Sequence, residues 1–561
     1  MISKFSLELV NTIIPAVEQE YRTFAESADL EGIVASRTHR GIAGFSLGGV
    51  ATWNVFEQEM RCFRWFLPIS EASWSDEKGG TSGIWNSDVS AQVLYDAVKN
   101  QGFGKDDFKL FVATGTDDVA FDISTKQMKS LLEYDDSIGN EVSETAREKG
   151  VQWTDTMVKY IRELDGGRPV TCGVNLFFND LSAKGLGVYS EKKAKKAKGN
   201  QNIGSQFFNA LAGLLGQELM KRGAVLPGCD RKTRDAYAKL DVAGYNYGIY
   251  RYKKDLKKYE NRLILGTETF CGDSWLFQKI AKENPRLIGD FVWSGIDYLG
   301  EVGLGAWEYR DYAPLPLAPG WVSSGCGRID LIGNLLGEAL YTRVALEKER
   351  GPLMAVRPIH PAHEKHSPSA WKMSNALPSW NWRGCDRKKA VVEVYARAAQ
   401  VSLKLNGIVL EKKKVPPNLV VRFSVSWQPG VLTASALDEK GNVIGSSSLR
   451  SLGSKTLLSL LPEKPTVSPG EICFVRLRYV DEYGEVLPTA RGILKVHADG
   501  GELLGLGSAC PYNPIGFVSD QMDTYYGEAL AAIRADGEGL VKIDATDGTY
   551  SGSAVIRMRS I

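Results

Sequence analysis

The chain has 561 residues, which is too many for one hydrophobic core, so three or four domains are expected. Its 68 Lys and Arg residues balance its 67 Asp and Glu residues, and this balance excludes a net field that would attract nucleic acid or an anionic membrane. A neutral polymer such as a glycan fits that balance.

Cysteine spacing and apolar runs exclude further classes of protein. The eight cysteines lie far apart without a CxxC pair, so we expect reduced, mostly buried thiols and neither a zinc site nor a dense disulfide framework. No apolar run approaches the ~20 residues of a membrane-spanning helix, and no signal peptide is seen at the N-terminus. We therefore expect no cofactor, no metal and no membrane partner, and a cytoplasmic location by default.

A strand, a sharp turn and a helix are predicted around Ser46. The run Gly44-Phe45-Ser46-Leu47-Gly48 has the form G-x-S-x-G, in which small residues let the chain turn sharply and expose the serine hydroxyl. Farther on, a predicted strand at Phe108–Thr114 leads into Gly115-Thr116-Asp117-Asp118, where a hydrolase of this kind presents its acid. Ser46 and Asp118 are therefore candidates for a nucleophile and its triad acid.

Residues 1–135 resemble part of the feruloyl-esterase-like α/β-hydrolases of carbohydrate esterase family 1. The resemblance rests on the stretch His39–Trp53, the strand Phe66–Ser70 and the Gly-Thr-Asp-Asp turn, and it implies the two roles just given to Ser46 and Asp118. A triad in this chain order needs a His after the acid, and a serine without a base is a weak nucleophile. The next His after Asp118 is His360, so we expect a partial α/β-hydrolase sheet without esterase activity.

From Ser137 onward the pattern alternates strands and helices. A helix is predicted at Gln152–Leu164, and strands are predicted at Pro169–Gly173, Asp241–Tyr247, Leu263–Glu268 and Leu287–Trp293. Polar residues gather where these strands end, so residues 136–350 are predicted to form the C-terminal part of a (β/α)8 barrel. Glu141 and Glu268 both stand at strand ends. Two acids about 5 to 5.5 Å apart are what a retaining glycosidase needs.

Five motifs make this region similar to glycoside hydrolase family 2, in its β-galactosidase-like branch. They are Ile138-Gly139-Asn140-Glu141, Arg168-Pro169-Val170-Thr171, Gly244-Tyr245-Asn246-Tyr247, Thr267-Glu268-Thr269-Phe270 and Trp293-Ser294-Gly295-Ile296-Asp297-Tyr298. The resemblance runs from about residue 137 to the C-terminus. It implies that Glu141 is the acid/base and Glu268 the nucleophile in the cleavage of a β-linked glycoside. It also implies that Asn140 donates to the sugar 2-hydroxyl, Tyr247 orients the nucleophile, and Trp293 is an apolar platform for the sugar ring.

Each of these residues also has a purely structural interpretation. Asn140-Glu141 could be a solvated helix start, Glu268 an exposed strand end, Tyr247 a cap on a barrel layer, and Trp293 a core residue. The lysine-rich stretch 192–198 has no interleaved aromatic residues, so we interpret it as a solvated loop rather than a nucleic-acid patch.

The region departs from the family pattern before Glu141. The β-sandwich domain, the immunoglobulin-like domain and the three βα units that precede the acid/base strand in the family are not found. The sequence resembles part of an esterase joined near Asp135 to the back of a glycosidase, so we expect weak or absent turnover. A serine carbohydrate esterase lacking its His, or a non-catalytic fusion remnant, is the alternative to a glycosidase.

Two β-sandwich, immunoglobulin-like domains are predicted at residues 351–460 and 461–561. The pair Gly351-Pro352 ends the helical pattern. Short strands in which apolar and polar residues alternate come after it, and a linker at Pro462–Pro465 divides them into two groups. We expect these domains to brace the barrel rather than to bind glycan, because no aromatic platform is obvious. His360, His363 and His366 have metal-like spacing, but the neighbouring prolines favour an irregular linker.

Overall fold

The structure is a computed structural model that describes residues 5–21, 23–45, 47–69, 71–76, 86–104, 106–112, 114, 121–134, 150–164, 166–183, 216–315, 319–360, 364–367, 369, 371–536 and 539–559. The described residues fall into two compact units. The first takes its residues from 1–170, 178–201 and 231–240, and the second from 171–177, 202–230 and 241–561. No helix within the described ranges is long and apolar enough to cross a membrane.

The first unit contains a sheet of three parallel strands in the order β1-β2-β3. The strands are β1 (Gly41–Phe45), β2 (Trp65–Ile69) and β3 (Lys109–Leu110). The helices are α1 (Phe5–Glu8), α2 (Ile14–Glu20), α3 (Leu30–Ala35), α4 (Leu47–Gln58), α5 (Ser87–Asn100), α6 (Phe121–Tyr134) and α7 (Gly150–Leu164). Buried Trp53 and Phe56 of α4 pack in one cluster with Phe66 of β2. The strand expected at Phe108–Thr114 is shorter, because only Lys109 and Leu110 form the ladder with β2.

The second unit opens with four parallel strands in the order β4-β5-β6-β7. They are β4 (Thr171–Asn175), β5 (Val242–Asn246), β6 (Leu263–Thr269) and β7 (Leu287–Val292). The helices along this part of the chain are α8 (Leu176–Ala183), α9 (Gln217–Gly223), α10 (Pro227–Tyr237), α11 (Tyr252–Lys258), α12 (Ser274–Glu283) and α13 (Gly337–Ala345). Residues 178–183 of α8 and 231–237 of α10 are counted in the first unit. Residues Val242–Tyr245 are all buried, as expected of a strand covered on both faces. The expected alternation of strands and helices is therefore present.

Two antiparallel sheets follow and share one core. Their strand orders are β12-β9-β8 and β11-β10-β13-β14. The strands are β8 (Leu353–Val356), β9 (Lys389–Tyr395), β10 (Gln400–Leu405), β11 (Ile408–Lys414), β12 (Val420–Ser426), β13 (Gly430–Leu437) and β14 (Val443–Ser451). Trp380, Trp382 and Trp427 lie in the shared core. The Asn406-Gly407 turn between β10 and β11 has φ values of 50° and 83°, the left-handed geometry that this residue pair favours.

A second pair of sheets forms the C-terminal β region around its own core. The strand orders are β15-β17-β21-β19 and β16-β23-β22-β18-β20. The strands are β15 (Leu457–Pro462), β16 (Thr466–Val467), β17 (Ile472–Val480), β18 (Ile493–Asp499), β19 (Glu502–Gly507), β20 (Gln521–Asp523), β21 (Glu528–Arg534), β22 (Leu540–Thr546) and β23 (Ser551–Met558). The expected mixture of α/β and β-rich parts is confirmed.

A buried carboxylate stabilises the first β region, which is formed by the sheets β12-β9-β8 and β11-β10-β13-β14. This gives a stability prediction. Glu393 on β9 is fully buried and accepts hydrogen bonds from Arg357 at 2.7 Å, Arg422 at 3.0 Å and Tyr395 at 2.8 Å. Replacing Glu393 with Gln removes the buried anion from Arg357, Arg422 and the buried Tyr395 hydroxyl, so we expect a loss of about 3 kcal/mol in the free energy of unfolding. Urea denaturation followed by tryptophan fluorescence measures the loss.

Glu411→Gln is the matched control for this prediction. Glu411 lies on exposed strand β11 and pairs with Lys413 at 3.2 Å in solvent, so its replacement should change stability by less than about 1 kcal/mol. Equal effects of the two substitutions would mean that the Glu393 network contributes no more than a surface ion pair.

Candidate active site

Three of the predicted site residues lie in the described part of the chain, and the others do not. Glu268, Tyr247 and Trp293 are described. Ser46, Asp118, Asn140 and Glu141 lie outside the described residues, as do His363, the junction near Asp135 and the lysine-rich stretch 192–198. The expected separation of the Glu141 and Glu268 carboxyl groups therefore stays a prediction.

The parallel sheet brings the three described residues to one edge. Glu268 is near the end of β6, Tyr247 follows β5 and Trp293 follows β7. The backbone N–H of Tyr247 donates to the carbonyl oxygen of Glu268 at 2.7 Å, and that of Trp293 donates to the carbonyl oxygen of Thr269 at 3.0 Å. The carboxyl ends of parallel strands meet at one edge of a sheet, which is where ligand sites of such sheets form.

Tyr247 contacts the Glu268 carboxylate directly. Its backbone adopts a left-handed φ of 54°, which turns the chain sharply after β5. The side chain is buried, its hydroxyl is hydrogen-bonded to the Glu268 carboxylate, and its ring packs on Phe270 with centroids 4.5 Å apart. This contact fits the orienting role expected of Tyr247.

Asn246 is a second partner of Glu268. Its amide oxygen accepts a hydrogen bond from the Thr267 hydroxyl at 2.6 Å, and its side chain is also hydrogen-bonded to the Glu268 carboxylate. Because an ionised carboxylate only accepts hydrogen bonds, the amide N–H group must be the donor. The Thr267 contact fixes the amide in the orientation that allows this.

Opposing effects act on the ionisation of Glu268. Burial is the largest, and it raises the pKa of Glu268 to about 7. The nearby Glu301 carboxylate also raises this pKa, whereas the hydrogen bonds from Tyr247 and Asn246 lower it. Glu301 itself accepts a short hydrogen bond from the hydroxyl of Tyr298. The Glu268 carboxyl group therefore gains or loses its proton near neutral pH.

Trp293 is half-buried rather than a fully buried core residue. Its ring meets that of Tyr298 edge-on, with centroids 5.9 Å apart, and the peptide bond between Trp293 and Ser294 is cis. Its indole nitrogen is buried and has no hydrogen-bond partner among the residues that the structure describes. A partly exposed indole beside the Glu268 strand fits the predicted platform for a sugar ring.

The sequence does not indicate the roles of two residues at this site, Trp371 and Asn246. Trp371 donates a hydrogen bond from Nε1 to the hydroxyl oxygen of Tyr247 at 2.7 Å, and it is 6% exposed. It lies 124 residues after Tyr247 in an irregular segment, so no strand-end or motif signal marks it. Asn246 belongs to the motif Gly244-Tyr245-Asn246-Tyr247, but the motif does not indicate that its side chain bonds to Glu268.

His360 and His366, two of the three clustered histidines, contact neighbouring side chains. His360 pairs with Asp311 at 2.7 Å, and the ring of His366 stacks on Trp307 with centroids 4.5 Å apart. Within the described ranges, no group of three His, Cys, Asp or Glu side chains is placed to hold a metal ion.

In the first unit a strand and a helix lie on either side of position 46, which is outside the described residues. Strand β1 ends at Phe45 and helix α4 begins at Leu47. A Cβ atom on Gly44 would lie 1.9 Å from the carbonyl oxygen of Gly48, so this close approach requires glycine. His39 is exposed and stacks on Phe24 with ring centroids 4.0 Å apart.

Two family models match the C-terminal part of the chain. The model "Glycoside hydrolase family 2 C-terminal domain 5" matches residues 463–555. The model "Domain of unknown function (DUF4982)" matches residues 387–445. Both matches fall in the two β regions.

Two curated proteins are also similar to this chain. A β-galactosidase from Bacteroides ovatus is 25% identical over 276 residues, which are 48% of this chain and 28% of that protein. Endo-1,4-beta-xylanase Y from Acetivibrio thermocellus is 34% identical over 134 residues, which are 23% of this chain and 12% of that protein. The chain thus spans less than a third of the length of either relative.

Solved structures give the same two resemblances. A glycosyl hydrolase family 2 member from Bacteroides cellulosilyticus superposes with a TM-score of 0.58 at 20% identity, covering 88% of this chain and 62% of that one. The feruloyl esterase module from Clostridium thermocellum, solved with sinapinate, is 31% identical over 24% of this chain and 44% of that one, with a TM-score of 0.22.

These comparisons show that the chain is similar to proteins of glycoside hydrolase family 2. The expected resemblance to the β-galactosidase-like members of that family is confirmed by the domain match and the Bacteroides ovatus relative. The expected resemblance of one segment to a feruloyl esterase is also confirmed, by sequence identity. The chain is thus similar to a glycosidase joined to an esterase-like segment.

Proposed function

We propose that the chain is a retaining β-glycosidase of the β-galactosidase type, with Glu268 as nucleophile and Glu141 as acid/base. The observation that carries the proposal is the hydrogen-bonded setting of the Glu268 carboxylate. Tyr247 and Asn246 both donate to it at the carboxyl edge of the parallel sheet, beside the half-buried ring of Trp293. Relatives of glycoside hydrolase family 2 support the same reaction class.

The proposed reaction has two steps. In the first, the ionised carboxylate of Glu268 attacks the anomeric carbon while Glu141 gives its proton to the leaving oxygen. In the second, a water molecule deprotonated by Glu141 hydrolyses the covalent glycosyl-enzyme, so the product keeps the β configuration. Tyr247 and Asn246 favour the ionised form of Glu268 because they donate hydrogen bonds to it. Asn140 donates to the sugar 2-hydroxyl, and Trp293 stacks on the sugar ring.

We also propose that the parallel sheet is part of a (β/α)8 barrel and that turnover is slow. Strand β7, the last strand of the sheet among the described residues, leaves Ile288 and Phe291 50% and 63% exposed, although barrel strands are covered by helices on their outer face. An incompletely covered sheet holds its side chains less firmly. A displacement of about 1 Å can lower catalysis roughly 100-fold, so kcat is expected well below the ~10 s⁻¹ typical of enzymes.

The two β regions, proposed as immunoglobulin-like sandwiches, brace this sheet rather than bind glycan. Contacts between the C-terminal β region and the segment that follows β7 support bracing. Tyr525 donates to buried Glu308 at 2.6 Å, and Asn334 donates to Glu528 at 2.8 Å. These bonds join the C-terminal β region to the segment that follows β7.

Proton NMR of the first product formed from a nitrophenyl β-galactoside tests the proposed function. A retaining enzyme releases β-galactose, which then mutarotates, whereas an inverting enzyme releases α-galactose first. We expect the β anomer, with weaker cleavage of the matching α-galactoside and β-glucoside. Release of the α anomer, or no cleavage of any β-glycoside at high enzyme concentration, would contradict the proposal.

The pH dependence follows from the ionisation of Glu268. Burial holds its pKa at about 7, and a nucleophile must be ionised. We therefore expect kcat/KM to rise with pH through about 7 and to fall roughly tenfold for each pH unit below that value. Initial rates on a nitrophenyl β-galactoside measure the profile. A flat profile between about pH 5 and pH 8 would mean that the nucleophile is already ionised at pH 5, and it would contradict the prediction.

A serine esterase is the alternative function, supported by the identity to the feruloyl esterase module. We expect no reaction of Ser46 with a fluorophosphonate, because no His follows Asp118 before His360 and the ring of His39 stacks on Phe24. Intact-protein mass spectrometry measures the labelling. A mass gain that Ser46→Ala abolishes would favour the esterase.

A further inference from the structure

Trp371 lies outside the parallel sheet and donates the first hydrogen bond of a chain that leads to Glu268. Its Nε1 lies 2.7 Å from the hydroxyl oxygen of Tyr247, and that hydroxyl is in turn bonded to the Glu268 carboxylate. The indole also contacts the Tyr247 ring edge-on at 6.1 Å and the Phe270 ring at 6.2 Å. Trp371, Tyr247 and Phe270 are all buried.

The chemistry of the three groups fixes the direction of both bonds. An indole N–H can only donate, a tyrosine hydroxyl has one proton and two acceptor lone pairs, and an ionised carboxylate can only accept. Trp371 therefore occupies a lone pair of the Tyr247 oxygen and leaves its proton for Glu268. Two donor bonds in series also polarise one another, which strengthens the bond to the carboxylate.

The segment that carries Trp371 is held firmly at its other side. The buried carboxylate of Glu338, in the first turn of α13, accepts hydrogen bonds from the backbone N–H groups of Met373 and of Ser374, the latter at 3.2 Å. The backbone N–H of Gly337 donates to the carbonyl oxygen of Ala376 at 2.8 Å. These bonds fix the backbone two to five residues after Trp371, so the indole N–H has a defined position.

We propose that Trp371 is a positioning residue that acts on Glu268 through Tyr247, by fixing the tyrosine hydroxyl so that its proton faces the carboxylate. The inference rests on the proposed function for its catalytic meaning. The hydrogen-bond chain itself can be tested without turnover.

The test is a carboxyl ¹³C NMR titration of protein labelled at the glutamate side-chain carboxyl carbons. The Glu268 signal is assigned as the resonance that Glu268→Gln removes. Trp371→Phe keeps an aromatic ring and removes the donor, so the bond from Tyr247 to the carboxylate weakens. We expect the pKa of Glu268 to rise by about 0.5 to 1 unit in Trp371→Phe and by at least as much in Tyr247→Phe.

Trp321→Phe is the matched control. The Trp321 indole nitrogen is also buried but has no hydrogen-bond partner in the described part of the chain, so its removal should leave the Glu268 titration unchanged. If Trp371→Phe does not fold, the isosteric benzothienylalanine at position 371 replaces the N–H with sulfur and retains the ring volume. The same rise in the pKa of Glu268 is expected there.

The outcomes separate the inference from the proposed function. An unchanged Glu268 titration in the Trp371 variants, with a rise in Tyr247→Phe, would overturn the positioning role. A rise in both, in a protein that cleaves no glycoside, would support the positioning role and overturn the proposed function. In an active protein we also expect Trp371→Phe to lower kcat about tenfold while KM changes less than about twofold.

Discussion

Glu268→Ala is expected to reduce glycoside hydrolysis by about 10⁴-fold or more, because the nucleophile of a covalent mechanism has no substitute. Added azide should restore cleavage of an activated dinitrophenyl β-galactoside, since the small anion fits the space left by the carboxyl group. Azide attacks from the face that Glu268 occupied, so the product should be the α-galactosyl azide. Rates with and without azide, and the anomeric configuration of the product by NMR, measure both effects.

The companion variants define the roles of the two glutamates. In Glu141→Ala, azide should give the β-galactosyl azide, because the intact nucleophile still forms the intermediate and azide then replaces water. Glu283→Gln removes an exposed carboxylate that pairs with Lys253, and its activity should equal that of the parent protein. A β-azide from the Glu268 variant would reverse the two assignments.

Tyr247→Phe is expected to lower kcat/KM by about 10- to 100-fold. A hydrogen bond to a charged group contributes about 1.5 to 3 kcal/mol, and this one is made to the proposed nucleophile. Its loss raises the pKa of Glu268, so the acid side of the pH profile should move to higher pH. Steady-state kinetics across the pH range measure both changes.

Tyr250→Phe is the matched control, because it also removes a tyrosine–glutamate hydrogen bond. The Tyr250 hydroxyl bonds to the Glu218 carboxylate at 2.9 Å on the exposed surface of the same unit. Its loss should leave kcat/KM and the pH profile unchanged. Equal effects of the two tyrosine substitutions would contradict a direct action of Tyr247 on Glu268.

The sequence predicts the described part of the site because local signals mark it. Apolar runs that end in polar residues identify β5, β6 and β7, and the parallel arrangement of such strands brings their ends together. Glu268, Tyr247 and Trp293 therefore could be named from strand ends and motifs. The Asn406-Gly407 turn was likewise predictable, because few residue pairs adopt two consecutive left-handed conformations.

Other features depend on contacts that no local pattern encodes. Asn246 lies opposite Glu268 because the register between β5 and β6 shifts after Tyr245, and such a shift is set by packing. Trp371 reaches Tyr247 from an irregular segment that is fixed by the buried Glu338 carboxylate. The burial that raises the pKa of Glu268 likewise arises only when the distant segments are assembled.

The central claim is that Glu268 forms a covalent bond to a sugar. Incubation with dinitrophenyl 2-deoxy-2-fluoro-β-galactoside, followed by proteolysis and mass spectrometry of the peptides, tests it most directly. The fluorine slows both steps, and the dinitrophenyl leaving group speeds only the first, so the intermediate accumulates. We expect one fluorogalactosyl group per chain, attached to Glu268 and absent in Glu268→Gln. Attachment to Glu141 or to another side chain, or an unmodified protein that still cleaves β-galactosides, would contradict the claim.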